Sequence, residues 1–267
     1  MTYKLRNMNY TKEFIKMLEK AEAEDLYAGT GNPNASILII GQELAIDGSE
    51  NPEQVTEEIH SNIAKWKENV RNNSSQADTL DWKNPLYLYK NSSHKEGHTW
   101  NKYQKLMDFI REVPHTKETN FQEFAFLTEY NQNPSKSNAG QKNHLRRPSV
   151  KKRDEFFRTT AFFQHFPIVI AAAGDYAGNK FEVFLEKTFN VQYEGTFEVR
   201  NEGTFELKDG DKMEKARHWY SLHYGPDKLV IHTCQLSGTI ANKLLEEIAR
   251  KVRDFIKEKG LQLSENI

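Results

Sequence analysis

The sequence has few of the features that hold a chain outside the cell or across a membrane. Its 267 residues include a single cysteine, so no internal disulfide can form and a reducing compartment is expected. No stretch approaches the roughly 18 consecutive apolar residues of a membrane span. Met1 is followed by polar sequence instead of the apolar core of a signal peptide. We therefore expect a cytoplasmic protein without membrane contact.

The chain also lacks a net charge of either sign. Its 37 Lys and Arg residues nearly cancel 38 Asp and Glu residues, so no overall field attracts nucleic acid or a membrane surface. The sequence shows no internal repeat. The length favours one large domain over two small ones, and we predict a single domain spanning residues 1–267.

Four short apolar runs, each followed by a polar loop, alternate with amphipathic helices. Continuous apolar runs of this kind are typical of buried parallel strands. The alternation predicts an α/β fold, a three-layer αβα arrangement around a central four-stranded, largely parallel sheet. The predicted strands are residues 37–40, 124–128, 168–173 and 229–231.

Apolar residues at helical spacing predict helices between these strands. Two alternating segments, Thr196–Val199 and Thr204–Leu207, flank Asn201-Glu202-Gly203 and predict an antiparallel hairpin added to the sheet around 190–225. Residues 45–98 and 182–227 are predicted to be insertions. The predicted helices lie at about 11–27, 53–71, 100–112, 154–165 and 238–258.

Two polar loops follow the first and last of these strands. Gly41-Gln42-Glu43-Leu44 comes directly after the first strand, and the segment from His232 to Ser237 comes after the last. Ligands of open parallel sheets bind beyond the carboxyl ends of the strands. We therefore expect Glu43 and His232 to share one crevice, as a candidate site for acid–base or electrostatic chemistry.

These loops resemble those of the uracil-DNA glycosylase superfamily. Gly41-Gln42-Glu43 is similar to the Gly-Gln-Asp of the family's first loop, and His232, Leu236 and Ser237 match its His-Pro-Ser-Pro-Leu-Ser type loop in register. Glu129 stands where the family carries a uracil-reading Asn. The resemblance covers roughly residues 29–250, without 45–95 and 182–227. It implies a compact αβα fold, no cofactor, and a monomer that acts on single- or double-stranded DNA.

The resemblance implies cleavage of the N-glycosidic bond of a flipped-out damaged base, uracil or a related one. Glu43, with Gln42 beside it, would position water and stabilise the positive sugar, and His232 would stabilise the departing base. The alternative for Glu43 is a carboxylate that caps the following turn. The alternative for His232 is an imidazole satisfied at the end of a strand.

Further residues are candidates for contacts with the base and with DNA. Trp100, Glu129 and Asn131 are predicted to bind the base. An ionised Glu129 accepts hydrogen bonds but cannot donate, so it would suit a base with an exocyclic amine better than uracil. The predicted DNA-binding residues are Leu236, as a wedge in the vacated stack, Ser237, and the basic side chains of the run from Gln141 to Arg153, chiefly Arg146, Arg147, Lys151 and Lys152.

Simpler interpretations remain open for these residues. Leu236 would equally suit a core contact, Trp100 the apolar face of its helix, and the basic run a solvated loop. His94 and His98 flank Glu96 without a convincing further ligand, so no metal is predicted. Cys234 is interpreted as a small packing residue. For the whole protein, the alternatives are a nucleic-acid-binding relative that has lost catalysis and a hydrolase of free nucleosides or nucleotides.

Overall fold

The computed structural model describes residues 8–44, 46, 50–79, 81–88, 98–115, 118–135, 143–174, 179–207, 218–237 and 240–263. Within these ranges, the side chains of residues 98, 143–147 and 179–180 are not described. The fold is mixed α/β, as predicted. The described residues form two compact units, one drawn from Met1–Leu88 and Gln122–His165 and the other from Tyr89–Phe121 and Phe166–Leu263. The single domain and its two insertions stay a prediction.

The predicted strands and helices occur in the predicted order, but the short strand Thr30–Gly31 and the helix Asn179–Phe189 were not predicted. The strands are β1 (Thr30–Gly31), β2 (Ile37–Gly41), β3 (Ala125–Glu129), β4 (Ile168–Ala171), β5 (Gln192–Arg200), β6 (Gly203–Leu207), β7 (Trp219–Gly225) and β8 (Lys228–Thr233). The helices are α1 (Lys12–Ala23), α2 (Pro52–Val55), α3 (Asn62–Asn72), α4 (His98–Arg111), α5 (Asn143–Thr159), α6 (Ala161–Gln164), α7 (Asn179–Phe189) and α8 (Asn242–Lys259). A π-helical turn, Thr56–His60, joins α2 to α3, and two 3-10 turns lie at Gln76–Asp78 and Phe121–Glu123.

In the first unit, three strands lie in the order β1-β3-β2. β2 and β3 are parallel, with Ile37 opposite Ala125 and Gly41 opposite Glu129, and β1 pairs antiparallel with β3. Every residue of β2 and β3 is buried, which confirms both strands. Because the two strands run in the same direction, their carboxyl ends and the loops that follow lie side by side.

Helix α5 differs from the prediction. Its helical backbone begins at Asn143, eleven residues before the predicted start near Asp154. Pro148 lies inside this helix, although proline lacks the N–H that a helix interior uses. Lys and Arg are good helix formers, and the basic run is helical from Asn143 onward instead of being a loop. Thr160, with φ of −107° and ψ of 111°, separates α5 from α6.

In the second unit, five strands lie in the order β4-β8-β7-β5-β6. β4 and β8 are parallel, with Ala171 opposite His232, and the other neighbours are antiparallel. The hairpin is confirmed, since Val199 lies opposite Thr204. Helix α8 buries the apolar stripe Leu244, Leu245, Ile248, Ala249, Val252 and Phe255. In the part of the chain that is described, no helix has both the length and the apolar character needed to cross a bilayer.

Candidate functional site

The loops after β2 and β3 run together beyond the strand ends. Tyr130 N donates to Gly41 O at 2.9 Å and Asn131 N donates to Gln42 O at 2.8 Å, which extends the parallel ladder into both loops. Asn131 Nδ2 in turn lies 3.4 Å from Glu43 Oε2, a long hydrogen bond. Gln42 and Asn131 are buried and Glu43 is half-buried. The first unit therefore gathers Gln42, Glu43, Glu129 and Asn131 at one place.

Glu129 is the least ordinary member of this group, because one oxygen of its carboxyl group is buried without a donor from the described residues. The residue is 7% exposed, and Oε2 has no hydrogen-bond partner among the described residues. Its space exists because residue 41 is glycine. A Cβ on Gly41 would lie 2.3 Å from Oε2, closer than any side chain can approach. Buried polar atoms are almost always paired, so this unpaired oxygen needs an explanation.

Arg153 is the nearby cation, but its guanidinium group is used elsewhere. It is fully buried and donates from Nε to Glu129 O at 3.0 Å and from Nη2 to Thr128 Oγ1 at 2.8 Å. Its Nη1 donates to Tyr27 O. Arg153 therefore ties the backbone together at the end of β3 without pairing with the Glu129 carboxyl group.

The protonation of Glu129 follows from these surroundings. Burial, and to a smaller extent the charge of Glu43, raise its pKa to about 8 against the opposing charge of Arg153. Burial likewise lowers the pKa of Arg153 to about 10. At neutral pH, Glu129 is therefore mainly an uncharged acid, with one O–H donor and one carbonyl acceptor. Two neighbouring carboxyl groups thus differ in environment, which is a common feature of acid–base sites.

The basic run is only partly available to a ligand. Lys151 and Lys152 are exposed on α5, as a phosphate contact requires, and the side chains of Arg146 and Arg147 lie outside the described residues. Arg153, the last cation of the run, is fully buried. The inclusion of Arg153 in a solvated phosphate-contacting patch was therefore wrong, because its guanidinium group is committed to the backbone.

In the second unit, His232 at the end of β8 belongs to a buried charge cluster. Its Nδ1 lies 2.7 Å from Glu182 Oε1 and its Nε2 lies 2.9 Å from Gly174 O. His223 Nε2 lies 2.6 Å from Glu182 Oε2, and Ser221 Oγ donates to Glu182 Oε1 at 2.9 Å. One carboxylate thus contacts two imidazoles and a hydroxyl group, and each ring nitrogen of His232 faces an oxygen that can accept a hydrogen bond.

The cluster stabilises the charged form of Glu182. Burial alone would raise the pKa of this carboxyl group, but its close contacts with the His223 and His232 rings, together with their charge, lower it well below its usual range. The sequence reasoning missed Glu182. The available signal was its position on α7, where it falls in line with the buried Leu185 and Phe189. A carboxylate on an apolar stripe is rarely buried unless it is paired.

The remaining candidates of the second unit are mostly packed into it. Leu236 is fully buried, so a wedge role needs its loop to move, and Ser237 is half-buried. Trp100 is half-buried and packs edge-on against Phe121 at 5.8 Å. Burial raises the pKa of the Cys234 thiol, which disfavours a reactive thiolate. The shared crevice for Glu43 and His232 stays a prediction, since they belong to different units.

The sequence predicts no metal site, and the side chains of the histidines considered as ligands, His94 and His98, are not described in the structure. His94 and Glu96 lie outside the described residues, as does the side chain of His98. Among the residues that are described, no three His, Cys, Asp or Glu side chains are grouped so as to hold a metal ion.

A cavity of about 410 Å³ opens in the first unit beside the segment that follows β3. Neither Glu43 nor Glu129 lines it, so it contributes nothing to the carboxyl pair. Its walls include Leu26, Tyr27, Ile59, Ile63, Gln132 and Asn133.

No protein-family model matches the sequence, and no curated protein matches it significantly.

Proposed function

We propose that this protein is an N-glycosyl hydrolase of the DNA-glycosylase type, and that its water-activating group is Glu43. The observation that carries the proposal is the carboxyl pair at the ends of β2 and β3. Glu43 is half-buried and held by Asn131, and Glu129 is buried beside it. The proposal includes the family's fold, in which the four predicted strands form one parallel sheet.

The reaction assigns a separate task to each group. The C1′–N bond of the nucleotide breaks and its electron pair leaves with the base, while the oxygen of a water molecule bonds to C1′. Glu43 orients that water, accepts one of its protons and stabilises the positive charge on the sugar. The departing base takes up a proton from solvent, so atoms and charge balance.

His232 is the proposed stabiliser of the departing base. Each of its ring nitrogens faces an acceptor: Nδ1 faces Glu182 Oε1 and Nε2 faces Gly174 O. Both contacts are hydrogen bonds only when both nitrogens carry protons. Such a ring has a positive charge to offer to an anionic base. Direct donation from Nε2 would require the ring to leave Gly174 O.

DNA affinity in this proposal comes from the exposed side of α5. Lys151 and Lys152 would contact phosphates, which supply sequence-independent affinity. With nearly zero net charge, only a local patch of this kind would attract DNA. Each phosphate contact that is lost lowers the slope of log K against log salt by about 0.9.

The test is the formation of abasic sites in oligonucleotides with a single uracil, hypoxanthine, xanthine or alkylated base. We expect wild-type protein to produce abasic sites from at least one of them, and Glu43→Gln to lower the rate by about 100-fold or more, as the loss of a catalytic base does. The matched control is Glu53→Gln, which removes an exposed carboxylate from α2 and should leave the rate unchanged.

Two other outcomes would replace the proposal. Salt-dependent DNA binding without an abasic product from any substrate would indicate a binding protein that has lost catalysis. Release of free base from mononucleotides, without affinity for oligonucleotides, would indicate a nucleoside or nucleotide hydrolase. A Glu43→Gln protein as active as wild type would remove Glu43 from the reaction.

A further inference from the structure

We propose that the cavity beside the segment that follows β3 binds a small organic amine. Asp25 and Gln132 hold its ammonium group, and its apolar body packs on an aliphatic wall that the stretch from α2 to α3 provides. This is a second site in the first unit, because the carboxyl pair at the ends of β2 and β3 does not line the cavity.

One wall of the cavity is aliphatic. Val55 of α2, Ile59 of the π-helical turn and Ile63 of α3 all line it, at every fourth position of the chain. All three side chains are half-buried, although valine and isoleucine are among the residues most often fully buried. The cavity volume of about 410 Å³ lies in the range of pockets that hold small ligands. An apolar group inside the cavity would cover this wall.

The centre of this wall has an irregular backbone. Residues Thr56–His60 form the π-helical turn, and Ser61 N donates to Thr56 O at 2.9 Å. The turn joins α2 to α3, so a helix that would otherwise be continuous is interrupted there. Such turns are frequent at functional sites, and this one places Ile59 and His60 in the cavity wall. The coincidence of the turn and the cavity favours a functional reason for both.

Gln132, in another part of the lining, carries a buried acceptor. Its amide group is fixed because Nε2 donates to Asp25 O at 3.1 Å. The other end of the amide is the carbonyl oxygen Oε1, which is buried and has no donor among the residues that the structure describes. A buried acceptor without a donor is unfavourable. An N–H group of a ligand would supply the donor that Oε1 lacks.

The charge around the cavity is negative. Glu22 and Asp25 contribute carboxylates, and the described residues of the lining include no Lys or Arg; the other titratable groups in it are His60 and Tyr27. Both oxygens of Glu22 accept from Lys67 Nζ at 2.8 Å, whereas Asp25 is exposed at the cavity. The last turn of α1 adds the negative end of its helix dipole. These charges favour a cation.

The acceptor and the charge together define the ligand. The hydrogen bond from Gln132 Nε2 to Asp25 O holds the buried acceptor next to the residue with the exposed carboxylate. An ammonium group has three donors and a positive charge, so it can donate to Gln132 Oε1 and to the Asp25 carboxylate together. An anionic group would be repelled by the carboxylates and has no N–H for Oε1. An amine with an apolar body therefore fits the cavity, and an anion of the same shape does not.

The experiment compares three probes that share a phenylethyl body and differ in the end group: phenethylamine, phenethyl alcohol and hydrocinnamate. Each is titrated into the full chain and followed by NMR of its methyl groups. Phenethylamine should shift the methyl signals of Val55, Ile59 and Ile63. Its affinity should exceed that of hydrocinnamate by about tenfold or more, because hydrogen bonds to a charged group are the stronger ones. The uncharged alcohol should bind with an intermediate affinity.

Two variants separate the charge from the acceptor. Asp25→Asn removes the charge and keeps the backbone, since Asn tolerates the left-handed φ of 53° as Asp does. It should weaken phenethylamine binding by about tenfold and leave the affinity for phenethyl alcohol unchanged. Gln132→Leu removes the acceptor and should weaken the binding of both. The control is Glu24→Gln, which removes an exposed carboxylate one residue from Asp25 and outside the cavity lining. It should change neither affinity.

Four results would overturn the amine site. Hydrocinnamate could bind as tightly as phenethylamine, or Asp25→Asn and Glu24→Gln could lose equal affinity for phenethylamine. The shifts caused by phenethylamine could lie at methyl groups away from the cavity, or no signal could shift at millimolar phenethylamine. None of these measurements uses DNA, so their outcome does not depend on whether the protein forms abasic sites.

Discussion

Glu129 makes a prediction about stability that is independent of any substrate. Its pKa rises from 4.5 to about 8 on folding, chiefly through burial. Between these values the unfolded chain loses the proton and the folded protein keeps it, so folding stability falls as pH rises through this window. Each unit of pKa difference corresponds to about 1.36 kcal/mol, so the full cost above pH 8 is about 5 kcal/mol.

The perturbation that isolates this cost is Glu129→Gln, which keeps the shape of the side chain and cannot ionise. We measure the free energy of unfolding with guanidinium chloride. The value for the variant should increase relative to that of wild type as pH rises from 4 to 9. The difference should grow by several kcal/mol and level off above about pH 8. Glu19→Gln, an exposed change on α1, is the control. A difference that stays within about 1 kcal/mol across the range would refute a buried, uncharged Glu129.

Two further predictions concern the buried charged groups. Glu182→Gln should cost about 3 kcal/mol at pH 7, because it leaves two buried imidazoles without their carboxylate. The deficit should shrink in acid, since a lowered pKa gives stability that is lost as pH falls below the usual range. Guanidinium unfolding at pH 7 and pH 3 measures this deficit. Glu186→Gln, one turn along α7, is the control, and an equal loss of unfolding free energy in both variants would contradict the role of Glu182. Arg153→Leu should cost at least about 3 kcal/mol in the same assay, since three buried acceptors lose their donor. Lys152→Leu, at an exposed neighbouring position, should stay within about 0.5 kcal/mol, and an equal loss in the two variants would contradict the role of Arg153.

The elements around the candidate site could be predicted because their signals are local. The apolar run at Ile37–Ile40 and the one before Glu129 leave few alternatives to buried parallel strands, and both strands lie where they were expected. The hairpin was equally clear, since alternating residues around Asn201-Glu202 fix its register. Such patterns depend only on residues within one segment, so they can be read directly from the sequence.

The burial of Arg153 could not be read from charge alone. A run of six cations without an acid suggests a solvated segment, and the expected helix start at Asp154 left Arg153 outside the helix. Once α5 is known to begin at Asn143, Ser149, Arg153, Phe156 and Phe157 fall at helical spacing and all four are buried. Arg153 is therefore placed in the interior by the position of the helix start, and the buried periodicity becomes visible only from Asn143 onward.

The contacts of acidic side chains inside the fold cannot be predicted from any local sequence pattern. Glu129 and Glu182 are both glutamates at the margin of apolar segments, and burial alone would raise the pKa of both. Glu182 contacts two imidazoles and a hydroxyl group, whereas Glu129 Oε2 receives no donor from the described residues and the group lies near the charge of Glu43. Their pKa values consequently move in opposite directions. The donors to Glu182 come from residues 39 to 50 positions away, so only the fold determines which acid is charged.

This contrast also bears on why Glu129 is a glutamate. Glu182 acts as an ion-pair centre, and a carboxylate is the group that its two histidines require. At Glu129, a structural role alone would be filled more favourably by an apolar side chain, because Oε2 is buried without a donor from the described residues. Retaining an acid there costs stability above about pH 4.5. Such a cost is expected where a side chain is held for a ligand.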